Sequence, residues 1–129
     1  MSETTGHCLC GQIRWAFDGP RLWQKYCHCE SCRRNCAAPV TAFVAVPVKQ
    51  FRWIRREPAF YESSPGVVRR FCPTCGTPVA YSWEGLPEEI HVYATGLTDP
   101  HDFVPEAHDF WNERLAWLPL ADDLPKETA

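Results

Sequence analysis

The sequence is short of methionine, of positive charge and of long apolar runs. One methionine occurs in 129 residues, and no stretch approaches the ~18 consecutive apolar residues of a membrane span. The opening Met1-Ser-Glu-Thr-Thr-Gly6 has neither a basic n-region nor an apolar h-region, so a cytoplasmic protein without membrane contact is expected. The formal charge is −3 and the pI about 5.9, which removes any bulk attraction to a phosphate backbone and predicts no nucleic-acid partner. Linkers, repeats and low-complexity tracts are also lacking. One domain over residues 1–129 is expected, with a core from about 6 to 125 and short loose termini.

What the chain has in quantity is cysteine and proline, 8 and 12 residues. Thiols in a reducing compartment stay reduced, so eight of them without an export signal point to metal ligation rather than to a disulfide framework. Between the scattered prolines and glycines run short segments rich in aromatic and β-branched residues: Gln12–Phe17, Val40–Val46, Phe51–Ile54, Val67–Phe71, Val79–Trp83 and Ile90–Ala94. They read as strands. Ile13, Trp15 and Phe17 alternate with Gln12, Arg14 and Ala16, the pattern of a half-buried antiparallel strand, so the fold class is mostly β. A short helix is predicted over Ser31–Ala37. The aromatic tail Asp109–Pro119 should pack back on the sheet, and Trp15, Phe43, Phe71, Tyr81 and Trp83 should fill the core.

All eight cysteines fall in three clusters. Cys72-Pro-Thr-Cys75-Gly76 has the spacing of a metal knuckle, in which a tight turn aims two sulfurs at one point and the glycine lets the backbone bend beneath them. Two ligands do not complete a tetrahedron, and Cys8-Leu-Cys10 is the other isolated pair, 62 positions upstream. A zinc held by Cys8, Cys10, Cys72 and Cys75 has a closed, structural coordination sphere, contributing on the order of 10 kcal/mol to folding. Cys27-His-Cys29-Glu-Ser-Cys32 offers three thiolates and leaves a coordination position free, as catalytic zinc requires. Three thiolates give a second zinc a net charge of −1. That makes it a poor generator of hydroxide and a better partner for another thiol.

Together, Gly6-His-Cys8-Leu-Cys10-Gly11, Cys27-His-Cys29-Glu-Ser-Cys32-Arg33-Arg34 and Phe71-Cys72-Pro-Thr-Cys75-Gly76 resemble the glutathione-dependent formaldehyde-activating enzyme family, also called centromere-protein-V-like. The resemblance runs from Gly6 to about Pro125. It implies a β-tent fold of antiparallel sheets, a structural zinc at Cys8, Cys10, Cys72 and Cys75, a second zinc at Cys27, Cys29 and Cys32, and a carbon–sulfur lyase joining glutathione and formaldehyde in S-hydroxymethylglutathione. Cys27, Cys29 and Cys32 would then be catalytic.

Cys36 departs from the pattern, which more often has a small residue there. On a helix it shares a face with Cys32 and is a candidate fourth ligand; the alternatives are a buried free thiol or a redox partner of Cys32. Arg33 and Arg34 are candidates to offset the thiolate charge and to grip a glutathione carboxylate. Arg55-Arg56 and Arg69-Arg70 read as exposed strand edges. His28 should point away from the metal; Glu30 and Ser31 sit in the metal loop, and the loop holding His108 is placed to cover the open zinc. Two other classes of function compete with the enzyme. A zinc-stabilised binding module is opposed by charge, since two zinc ions (+4) against seven thiolates (−7) drive the formal −3 further negative. A thiol redox or metal sensor would use Cys36.

Overall fold

A computed structural model describes residues 3–128. Among the described residues ten strands form two sheets. β1 (Glu3–His7), β2 (Arg14–Asp18) and β5 (Phe51–Ile54) make a three-stranded antiparallel sheet in the order β1-β2-β5. β3 (Trp23–Cys27), β4 (Thr41–Pro47), β6 (Ala59–Ser64), β7 (Val67–Phe71), β8 (Pro78–Trp83), β9 (Glu89–Tyr93) and β10 (Ala107–Asp109) make a seven-stranded sheet in the order β10-β3-β4-β9-β8-β7-β6. It is antiparallel except where β10 runs parallel to β3. Among the described residues one α-helix, α1 (Glu30–Cys36), follows β3 and ends at Ala37, which takes the left-handed conformation of a C-cap.

The two faces of the large sheet differ, and the difference follows from side-chain alternation. Val44 and Val46 of β4, Ala80 of β8 and Ile90 and Val92 of β9 point one way and pack against Trp15 and Phe17 of the small sheet, forming the main core. The opposite face carries a cross-strand row: Trp23, Ala45, His91, Tyr81, Arg69 and Tyr61 are successive register partners on β3, β4, β9, β8, β7 and β6. This second face lines a cleft of about 810 Å³.

All six strands predicted from the sequence are present, and the helix begins one residue earlier than predicted. Four more strands were not legible. β3, Trp-Gln-Lys-Tyr-Cys, lacks an apolar alternation because its outward residues serve the cleft. β6 ends in serines, but Pro65-Gly66, with Gly66 at φ +79°, turns it into β7. Three packing expectations need correction. Ala16, expected on the solvent face with Gln12 and Arg14, is fully buried on the central strand β2. Trp83 is 45% exposed at the cleft rim rather than in the core, and Arg69 is buried because β6 covers the edge on which it was placed. The tail does pack back as expected, with Phe110 against the middle cysteine cluster, Glu127 N–H donating to the His108 carbonyl and His108 N–H to that of Pro125, although Trp117 stays exposed.

Gly6 on β1 faces Trp15 in the register, and the indole lies where a Cβ would be. Gly76 has open space around it but a φ of +79°. Gly6→Ala should therefore lower the unfolding free energy by about 1–3 kcal/mol through overpacking, and Gly76→Ala by about 1 kcal/mol through backbone strain. Denaturant unfolding of the two variants checks the order; equal losses would place the indole elsewhere.

Candidate metal centres and the cleft

The loop after β1 and the turn between β7 and β8 bring four sulfurs together. Cys8, Cys10, Cys72 and Cys75 offer ligand atoms that all lie within 4.8 Å of one another. Backbone amides aim at these sulfurs. Ile13 N–H donates to Cys8 Sγ at 3.3 Å, and the amides of Thr74 and Cys75 both donate to Cys72 Sγ at 3.4 Å. The turns that present them close with Gly11 and Gly76, each at positive φ, whose amides donate to the carbonyls of Cys8 and Cys72. Cys8 and Cys72 are sealed under Ile13, Val79 and Trp53. Hydrogen bonds from the Thr77 side chain and backbone hold the Cys75 thiol down to about 5. N–H groups converging on crowded sulfurs are the surroundings of thiolates, so this donor set fits a soft tetrahedral cation.

The second group lies at the end of β3 and the start of α1. Cys27, Cys29 and Cys32 also hold their ligand atoms within 4.8 Å of one another. Cys29 is the helix N-cap, its sulfur accepting from Cys32 N–H at 3.4 Å, which turns Cys27, Cys29 and Cys32 toward one point. The three thiols share protons unequally. Hydrogen bonds from Cys27 and Cys29, and then from Arg69, hold Cys32 down to about 3, whereas Cys29, Cys32 and burial push Cys27 up. Three sulfurs this close shed their protons together only if a cation joins them, so the donor set fits a soft metal here too. Cys36 lies outside the group: its sulfur reaches Asn35 Oδ1 at 3.8 Å and it packs partly buried beside the cluster. Burial pushes its thiol up. The candidate fourth ligand is thus placed as a neighbouring free thiol.

Arg69 is the residue that sequence reasoning missed. It is 5% exposed, donates from Nη1 to Cys32 Sγ at 3.4 Å and from Nε to Ser63 Oγ at 3.2 Å, and stacks over the Tyr81 ring at 5.1 Å. Its signal in the sequence was present but ambiguous: of two adjacent arginines on a strand, alternation sends one to each face. Arg34 is exposed, pairs with Glu30 at 2.7 Å and borders the cleft. Arg33 faces elsewhere, donating to the carbonyls of His28 and Glu113 and so tying the metal loop to the tail.

His28 points away from the sulfurs, as expected. It is buried and bonds His108 Nδ1 at 2.8 Å, and His108 Nε2 bonds Asp122 Oδ2 at 2.9 Å. Burial, then His108, lowers the His28 pKa. The loop expected to bring His108 over the metal instead buries it in this chain and turns Phe110 and Glu113 to the cleft. Ser31 borders the cleft as well. Asp109, opposite Cys27 in the parallel pairing, lines it with Oδ1 buried and without a hydrogen-bond partner, 3.6 Å from Lys25 Nζ. Burial, then Glu127, raises its carboxyl to about 6 against the pull of Lys25.

Because Arg69 helps keep Cys32 a thiolate, Arg69→Gln should raise the Cys32 pKa and let protons compete for that sulfur at higher pH. A metal held by Cys27, Cys29 and Cys32 should then dissociate at higher pH in the variant, with affinity at pH 7 about 10-fold or more weaker. Chelator competition across a pH series measures both. An unshifted release curve would mean that the guanidinium does not act on the sulfur.

The chain is 34% identical over 85 residues to an uncharacterized lyase of Schizosaccharomyces pombe; the match covers 64% of this chain and 60% of that protein, so the chain spans less than two thirds of its relative. A crystal structure of a Rhodobacter sphaeroides protein superimposes with a TM-score of 0.61 at 21% identity, covering 74% of this chain and 88% of that one, a likeness of fold. Among the described residues no helix is long and apolar enough to cross a membrane. The model of the glutathione-dependent formaldehyde-activating enzyme family matches residues 3–113, which include all eight cysteines, seven of them in the two metal-ligand groups, and the chain belongs to that family.

Proposed function

We propose that the protein is a zinc-dependent carbon–sulfur lyase that makes or breaks the bond between a thiol, glutathione by its family, and an aldehyde carbon, as in S-hydroxymethylglutathione. One observation carries the reading. Three thiols converge at the wall of a cleft of about 810 Å³ while the fourth nearby thiol, Cys36, lies outside their group. Cys8, Cys10, Cys72 and Cys75 would hold a structural zinc, and Cys27, Cys29 and Cys32 a second. At the three-cysteine group the zinc would supply Lewis acidity that stabilises a substrate sulfur as thiolate at neutral pH.

The remaining chemistry belongs to the chain. Addition joins sulfur to the carbonyl carbon and moves the thiol proton to the carbonyl oxygen; cleavage reverses both, and neither direction needs an oxidant. Cys27, Cys29 and Cys32 would hold the metal as thiolates, and the buried Arg69 guanidinium, bonded to Cys32 Sγ, would offset the negative charge they bring to a cleft floored by rings. Asp109, whose side chain lines the cleft opposite Cys27 on β3, is the carboxylate that accepts the adduct's hydroxyl proton. Arg34 and Lys25 border the cleft and offer cations to the thiol's carboxylates. Arg33 acts through the metal loop by holding His28 in place.

The test is two-dimensional exchange NMR of the glutathione–formaldehyde equilibrium, with zinc counted in the same samples. The wild type should hold two zinc ions and speed exchange in proportion to enzyme. Cys29→Ser should stay folded, keep one zinc and lose at least 100-fold in rate. Cys72→Ser should lose the fold. Full exchange activity in folded Cys29→Ser would refute the assignment.

A further inference from the structure

The floor and far rim of the cleft are more apolar than a hydroxymethyl group needs. Tyr81 and His91 are register partners whose rings stack at 5.5 Å and 22°, and Trp23 meets the same imidazole edge-on at 4.6 Å. The metal-ligand group adjoins this floor directly, because Arg69 touches both Cys32 Sγ and the Tyr81 ring. Two residues beyond Tyr81 on the same face stands Trp83, about 7 Å along the strand. Trp83, Tyr61 and Leu86 form an outer wall, 45%, 62% and 39% exposed. Large rings left in water at the mouth of a cleft work against solubility, and such contiguous apolar surface marks a ligand-binding site.

Formaldehyde brings only hydrogen atoms on its carbon and would leave this surface wet. Lys25 on β3 and Arg34 on α1 stand on the elements that carry the sulfurs, Arg69 is engaged by Cys32 and Tyr81, and the exposed Trp83 and Tyr61 stand on β8 and β6, toward the opposite edge of the sheet. The cleft thus sets cations beside the sulfurs and exposed rings at its far rim. We propose that the carbon side of the natural adduct carries an aromatic group, so that the substrate is a thiohemiacetal of an aromatic aldehyde, its ring resting against the exposed Trp83 and Tyr61 beyond Tyr81. This rests on the thiol-adduct lyase reading and names its substrate class. In cleavage the hydroxyl gives up its proton, carbon and oxygen form the carbonyl, and the carbon–sulfur pair leaves with sulfur. No redox partner is involved.

Stable thioethers replace the labile adducts in the test. S-benzylglutathione and S-methylglutathione, and the same pair built on N-acetylcysteine, are titrated calorimetrically into the zinc-loaded full chain. Benzyl should bind about 10-fold or more tightly than methyl on both carriers. Trp83→Ala and Tyr61→Ala, both at exposed positions, should narrow the benzyl-to-methyl ratio toward one. A benzyl preference confined to N-acetylcysteine would sustain the aromatic site and refute glutathione as the carrier. The absence of a benzyl preference on either carrier, or a preference unchanged in both variants, would overturn the proposal.

Discussion

Sulfur crowding is the constraint from which most of this structure follows. Seven of eight cysteines lie in two groups whose ligand atoms are within 4.8 Å of one another, an arrangement that neutral thiols gain little from and that thiolates resist. A cation at each group removes the conflict. At Cys8, Cys10, Cys72 and Cys75 the four candidate ligands come from two loops, one on each sheet, so a metal that satisfies these sulfurs would also fasten the small sheet to the large one. At Cys27, Cys29 and Cys32 the ligands come from one strand end and one helix start, and the group faces the cleft instead of the core.

The large sheet converts that difference into a division of labour. One face is spent on the packing of Val44, Val46, Ile90 and Val92 against Trp15 and Phe17. The other bears the row from Trp23 to Tyr61, which a folded core does not need. Arg69 sits in this row between rings and sulfur. A buried guanidinium without an anion would be strongly destabilising, so its presence and the negative charge of the thiolate group explain each other. The tail contributes from behind: the His28–His108–Asp122 chain and the Arg33 contacts hold the metal loop on its buried side, leaving the sulfurs facing the cleft.

Much of the site was legible because metal ligation is written in local spacing. Cys72-Pro-Thr-Cys75-Gly76 and Cys27-His-Cys29-Glu-Ser-Cys32 state their geometry within six residues, and the closure of the first with Cys8 and Cys10 follows from ligand number. The strands with apolar alternation were legible for the same reason. Residues whose role depends on which strands become neighbours were not. Arg69 reads as an edge residue until β6 is placed outside β7, and Trp83 reads as core until its strand is seen to continue past the packed region to the rim. Cys36 shows a helical spacing with Cys32 that is correct, yet sharing a face did not bring it within the ligand group.

The central claim is that the three-cysteine centre accepts an incoming thiol. Cobalt substitution followed by glutathione titration examines it directly, through the visible and thiolate charge-transfer bands, with metal counted per chain. The account predicts two cobalt ions and a saturable change in the bands of one of them, because only Cys27, Cys29 and Cys32 leave a position free. Bands that stay unchanged in protein carrying both ions, and equally unchanged in Cys36→Ser, would contradict it.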